Sequence, residues 1–396
     1  MKKRCIKYGI VGIATVLILF VSGIAVHAED GAGEDGAVGS TIENILNEQM
    51  NASGADDLYE HIPSETQKYL RELGFDGLSL STILNMNVGE VLSLVGKMAL
   101  DYFRGMGQVL FAIIGVIFIS VLMDLFKDHF SGQSVAQVFH LISLLCLAAI
   151  VVTPILSTVT RVVEAIQNGT NFITALIPVL AGIMLSGGQI ATSSTYSVVM
   201  YSVTQVVSNI SSTIIVPLVT IYLAFSIISA ISPNLNLEEA AKGIKKVASW
   251  ILGFVITIFI ALLSAQTMIT SSADTVTAKA GKFIVGSFVP VVGSALSDAV
   301  ATVQGCLGLL RNVVGVFGIV SALFIFLPTL LECLLWVGIL SLAAVASDLF
   351  SVSMISKLLR SIAGALSLLC SILISSGVLL IVSTSMVLLI GKGGAA

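Results

Sequence analysis

The segment NFITALIPVLAGIMLSGG, residues 171–188, decides the class of this protein, because a long apolar run is typical of a membrane helix. A similar phrase, KFIVGSFVPVVGSALSDA, returns 111 positions later at residues 282–299. Hydrophobic residues make up 56% of the 396-residue chain, charged residues only 11%, and the mean hydropathy is +1.03. Because soluble domains carry about a quarter charged residues, we predict a polytopic membrane protein.

The spans are predicted to be helices. Strands of a membrane barrel alternate apolar and polar residues, whereas these runs are continuously apolar. Two stretches, 196–232 and 313–350, are long enough for two short spans each, with breaks near Pro217 and Pro328. The fold class is therefore all-α, with about 8–10 transmembrane helices. The other predicted spans are 107–125, 135–157, 172–185, 250–270, 283–296 and one within 362–390.

Residues 1–28 have the three parts of a secretory signal peptide: a basic start, an apolar run and small residues before a cleavage site after Ala28. An uncleaved first anchor is the alternative. Both interpretations place the chain from Glu29 onward outside the cytoplasm.

Residues 29–86 form a predicted acidic exported segment. Residues 29–101 contain 14 Asp or Glu and three Lys or Arg. Within the segment, PSETQKYLRELG has a helix start at Pro63 and a stop at Gly74. Residues 87–106 follow as an amphipathic helix that lies either along the outer membrane surface or against the exported segment. Residues 107–396 form the membrane domain.

The repeated phrase predicts an internal duplication with halves at 171–270 and 282–390. Each half contains a short Pro/Gly span, a long apolar stretch with a central proline, a basic loop and a final span. Ten spans and an exported N-terminus place both basic loops in the cytoplasm, so the repeat is parallel. The matched pairs are Gly182 with Gly293, Pro217 with Pro328 and, after a four-residue shift, Lys242 with Lys357.

Proline and glycine free backbone groups that need protein, water or a ligand as partners in lipid. Matching interrupted spans in two halves therefore point to a transporter-like site, while close helix packing is the alternative. Glu332 is the best candidate for a buried acid, and a glutamate at a turn between two spans is its alternative. The candidate pathway or packing residues are Pro178, Gly182, Pro217, Pro290, Gly293, Asp298, Pro328 and Glu332.

No catalytic motif is present, so we do not expect an enzyme. The sequence also predicts no cofactor and no metal site, because it lacks a CxxC or histidine pair. It has no basic patch of the kind that binds nucleic acid.

The stretch TAKAGKFIVGSFVPVVGSALSDAVATVQGCLGLLRNVVGVFG, residues 277–318, carries a family resemblance, supported by ALIPVLAGIMLSGG, the signal peptide and the acidic segment. Together they resemble the stage III sporulation protein AE family of endospore-forming Firmicutes. The resemblance implies a multi-pass protein of the mother-cell membrane around the forespore, with residues 29–106 on the extracytoplasmic, intermembrane side. It implies as partners the other stage III sporulation proteins of the same operon and a forespore-made protein.

The family further implies an integral subunit, permease-like in character, of the channel or secretion-like complex that joins the two cells. The alternative from the residues themselves is a self-sufficient secondary transporter of a small solute. It would use the duplicated Pro/Gly-broken spans and an acid such as Glu332.

Overall fold

A computed structural model shows an all-helical chain, with no strand in the residues that it describes. Those residues are 49–50, 53–75, 77–78, 87–126, 133–231, 237–288 and 293–390. The predicted signal peptide 1–28 and the linker up to residue 48 lie outside them. The elements are a 3-10 turn (Asp56–Tyr59), α1 (Ser64–Glu72), α2 (Val88–Phe126), α3 (Gln133–Ser186), α4 (Ile190–Asn209), a π-helical segment (Ile210–Ile215), α5 (Val216–Ile231), α6 (Leu237–Phe288), α7 (Gly293–Leu349) and α8 (Ser353–Ile390).

Six helices in the described residues are long and apolar enough to cross a membrane, which confirms the predicted all-α polytopic class. They are α2, α3, the continuous α4–α5 helix, α6, α7 and α8. The number is lower than the predicted 8–10, because residues 196–231 and 313–349 each lie in one unbroken helix instead of two spans. The 54 residues of α3 extend about 80 Å, more than twice the hydrocarbon core, so length alone does not count crossings.

Proline does not end the helices where the sequence predicted breaks. Pro178 lies inside α3 and Pro328 inside α7. Each proline ring leaves the carbonyl four residues earlier without its helical N–H donor, so another group must supply one. Pro217 follows the π-helical segment, whose wider turn makes room for the ring without ending the helix.

α7 is the central helix of the bundle. Its most apolar stretch is 72% buried, against 61% for α8 and 22% for α2 and α6. α7 runs antiparallel to both α3 and α8. Phe326 of α7 contacts Gly377 of α8, and a Cβ built on Gly169 of α3 would overlap its ring.

The two basic segments lie at the same end of the bundle. Lys245 in the first turns of α6 lies 5.8 Å from the Tyr222 ring centroid, and a Cβ on Gly364 of α8 would stand 3.1 Å from its Nζ. Arg360 in α8 pairs with Asp348 across the α7–α8 turn. The cytoplasmic location of this end stays a prediction.

The order of long helix, basic turn and long helix occurs twice, as α4–α5 with α6 and as α7 with α8. The likeness is incomplete, because a π-helical segment precedes Pro217 while α7 stays α-helical around Pro328. The duplication therefore stays a prediction.

The N-terminal segment, residues 53–78, packs on the bundle. Its helix α1 follows Pro63, and Gly74 beyond its end has a φ of +83°, which confirms the predicted start and stop. The predicted amphipathic helix 87–106 has no break at its end, because α2 continues to Phe126. Its apolar face is buried at Val91 and Met98, which favours the packed alternative over a position along the membrane surface.

Candidate functional site: a buried acid on the central helix

Glu332 is a buried carboxylic acid in the middle of α7. Its side chain is 2% exposed, and one oxygen, Oε1, accepts hydrogen bonds from Thr158 Oγ1 at 2.7 Å and Arg161 Nη2 at 2.5 Å. The interpretation as a turn residue between two spans is wrong, because α7 continues for 17 residues beyond it to Leu349. Glu332 is thus a buried acid in a helix that is a candidate membrane span, and it has a cation as its partner.

The second oxygen of Glu332, Oε2, is buried and has no hydrogen-bond partner among the described residues. A buried carboxylate oxygen without a donor is costly, so the site favours an occupant that can donate a hydrogen bond or carry positive charge. Water, a proton and a small cation meet that requirement.

The two sides of the ion pair differ in exposure. Arg161 is 49% exposed whereas Glu332 is 2% exposed, so the guanidinium connects the buried carboxylate with the outside of the bundle. Thr158 and Arg161 are three residues apart and therefore share one face of α3. Thr158 Oγ1 also lies 3.0 Å from the Pro154 carbonyl. A hydroxyl has one proton, and the charged acceptor Glu332 forms the stronger bond.

The N-terminal segment packs on the part of α7 that precedes Glu332 in sequence. Thr66 Oγ1 of α1 lies 3.5 Å from the Phe324 carbonyl, the group that Pro328 deprives of its helical donor. The Phe75 ring meets the Phe317 ring with centroids 6.5 Å apart, and both side chains are fully buried. Residues 53–78 are therefore part of the packed core.

A pair of tyrosines joins the same segment to α2. Tyr69 and Tyr102 lie close enough for their hydroxyls to interact, and burial raises the pKa of the Tyr69 hydroxyl. The segment thus contacts both α2 and α7 near the acid.

A small cavity lies beside Phe326, which precedes Glu332 in α7. Its volume is about 20 Å³, room for one water molecule. Polar groups in its wall are the hydroxyls of Thr170, Thr204, Ser208 and Ser376, which come from α3, α4 and α8. The bundle interior therefore contains a water-sized space whose wall is mostly apolar, and the Phe326 ring forms part of that wall.

The structure brings together only two of the predicted site residues, Pro328 and Glu332, one helical turn apart in α7. Pro178 and Pro217 are exposed on the outside of the bundle. A Cβ on Gly182 would meet nothing within 4 Å, so this glycine is not a point of close helix contact. Pro290 lies outside the described residues, as do the surroundings of Gly293 and the side chain of Asp298.

Sequence reasoning missed Arg161 and Gly169. Arg161 is 171 positions from Glu332, and nothing in the local pattern relates the two. Gly169 was inconspicuous because it does not belong to the repeated phrase. Nevertheless, α3 and α7 approach closely at Gly169 and at Gly318. A Cβ built on Gly318 would stand 2.7 Å from Leu176. The available signal was an arginine, followed by Glu164, between the apolar runs 135–157 and 172–185.

The model of the stage III sporulation protein AE family matches residues 78–391. The chain belongs to the stage III sporulation protein AE family. The match includes α2 to α8 and excludes most of the N-terminal segment. The stage III sporulation protein AE of Bacillus subtilis (strain 168) is 28% identical to the chain over 213 residues, which cover 54% of this chain and 53% of that protein. The chain thus spans about half the length of the curated relative that it matches. No solved structure matches it.

Proposed function

We propose that this sporulation protein is an integral membrane subunit of a channel or secretion-like complex between mother cell and forespore, permease-like in its helical bundle. The observation that carries the proposal is the two-sided N-terminal segment. Its inner side is buried at Leu58, Leu70 and Phe75, and Phe75 packs on Phe317 of α7. Its outer side presents exposed acids at Asp57, Glu60, Glu65 and Glu72.

A segment with one packed side and one exposed acidic side is suited to docking a partner protein. Because its inner side is anchored by packing, the acidic side has a fixed position on the bundle and can be recognised by a basic surface. The partners proposed for it are the other stage III sporulation proteins of the same operon and a forespore-made protein. In this arrangement residues 29–106 face the intermembrane space and the basic turns before α6 and α8 face the mother-cell cytoplasm.

A second candidate function, a self-sufficient secondary transporter, is favoured by the unpartnered Oε2 of Glu332. A buried acid that exchanges its partner is the usual means of coupling a proton or cation to solute movement.

Reconstitution of the purified full chain in liposomes, alone or with its operon partners, separates the two functions. The subunit proposal expects permeability to small dyes only when the partners are present, and little change in Glu332→Gln. Dye or proton flux by the chain alone that Glu332→Gln abolishes would establish the transporter instead. An absence of flux in every preparation would contradict the permease-like role and leave only an anchoring role.

A further inference from the structure

A second buried charge lies far from Glu332, in the first third of α7. Arg311 is 7% exposed, and its Nη1 donates a hydrogen bond to Gln189 Oε1 at 3.0 Å. Its Nε is buried without a hydrogen-bond partner, and no acidic side chain in the described part of the chain forms an ion pair with it. A guanidinium cannot lose its proton in a protein, so the positive charge is present but not neutralised by the residues described.

Gln189 places this arginine at the positive end of a long helix. It is the residue before α4, a helix of 20 residues, and its own side chain does not cap the helix. The preceding turn is sharp: Gly188 has a φ of +80°, and Gln189 N donates to Met184 O at 2.9 Å. The helix dipole and the guanidinium therefore add positive potential at one point of the α3–α4 turn.

We infer that Arg311, Gln189 and the N-terminus of α4 form a binding site for a phosphate-type anion. The free Nε, with the neighbouring Nη, offers the planar fork that binds two oxygens of one anion. The amide nitrogen of Gln189 can donate to the same anion, because its oxygen already accepts from Arg311.

The site lies at the opposite end of the bundle from the basic turns. Arg311 meets the α3–α4 turn, whereas Asp348 and Arg360 meet at the other end of α7. Gly188 and Ile190 beside Gln189 are exposed, so the α3–α4 turn that Arg311 contacts lies at the surface, whereas Arg311 Nε itself is buried. The phosphate of a lipid headgroup and a free phosphate ion have the same recognised chemistry.

The test uses the full chain in dodecyl maltoside, a detergent without phosphate, with inorganic phosphate as the probe at fixed pH and ionic strength. We expect phosphate to raise the unfolding temperature of the natural protein, and Arg311→Gln to weaken the apparent affinity about tenfold or more. Arg104→Gln, at an arginine whose side chain is 80% exposed on α2, is the matched control and should leave the affinity unchanged.

A second arm identifies the source of the phosphate. Phosphatidylglycerol added to the same detergent, without free phosphate, should raise the unfolding temperature in an Arg311-dependent manner if the site holds a lipid headgroup. If Arg311→Gln does not fold, Arg311→Lys and Gln189→Ala replace it, because the first keeps the charge without the fork and the second removes the amide. The proposal is overturned if neither phosphate nor phosphatidylglycerol stabilises the natural protein, or if both stabilise the site variants equally well.

Discussion

The hydroxyl of Thr66 lies 3.5 Å from the carbonyl oxygen of Phe324, at the long end of the hydrogen-bond range. Pro328 cannot donate to that carbonyl, so a residue of the N-terminal segment supplies the donor that the central helix lacks. Thr66 is 4% exposed and 258 positions away in sequence. The contact explains how α7 stays continuous at a buried proline.

Thr66→Val tests this contact, because valine keeps the shape and removes the donor. We expect it to lower the free energy of unfolding of the detergent-solubilised full chain by about 1–2 kcal/mol, while Thr66→Ser has a smaller effect. In a Pro328→Ala background the Phe324 carbonyl regains a helical donor. Thr66→Val should therefore lower the free energy of unfolding by less in that background. An equal loss in both backgrounds would show that Thr66 acts only through packing.

The ion pair of Arg161 and Glu332 predicts an asymmetric response to charge removal. Arg161→Gln leaves a buried carboxylate without its cation, and we expect a loss of about 2–3 kcal/mol, reduced because the arginine is half exposed. The double variant Arg161→Gln/Glu332→Gln removes both charges and should recover much of that stability. Thermal unfolding of the three proteins measures this, and a double variant as unstable as Arg161→Gln would argue against the pair.

The close approach of α3 and α7 predicts a difference between two glycines that both face Phe326. A Cβ at Gly169 would overlap the ring, whereas one at Gly377 would stand at an ordinary 3.6 Å. We expect Gly169→Ala to destabilise the protein by about 1–3 kcal/mol and Gly377→Ala to have little effect. Unfolding of the two variants in the same detergent is the measurement. Equal losses of stability in the two variants would contradict the close contact between Gly169 of α3 and Phe326 of α7.

The register of α7 against α8 predicts a cross-link. The buried thiols of Cys333 and Cys370 lie close to each other. Oxidation of membranes with iodine should join them within one chain, as shown by mass spectrometry of the peptides, and Cys370→Ser should abolish the product. Cys306, also buried on α7, serves as the control and should not pair with Cys370. A Cys306–Cys370 product would require a different register.

The class of the fold follows from composition alone, because continuous apolar runs exclude a barrel and few charges exclude a soluble domain. The start and stop of α1 at Pro63 and Gly74 were also predictable, since local capping chemistry decides them. The number of long helices was not predictable from the sequence. Pro328 breaks a helix only when its freed carbonyl finds no donor. That donor, Thr66, is supplied by tertiary packing.

The candidate site was predictable only in part. An acid amid apolar residues marked Glu332, but its partners Thr158 and Arg161 are defined by the antiparallel packing of α3 on α7. Arg311 gave no signal, because its burial depends on the α3–α4 turn at Gly188. Long-range pairs of this kind require the fold.

The most direct test of the account is co-purification of the operon partners with a variant that neutralises the acidic side of the N-terminal segment. The changes are Asp57→Asn, Glu60→Gln, Glu65→Gln and Glu72→Gln, and the control is Glu238→Gln/Glu239→Gln on the exposed start of α6. We predict that the first variant loses most of the partners at an unchanged unfolding temperature, while the control keeps them. Full recovery of the partners by the first variant would contradict the proposal that this segment docks them.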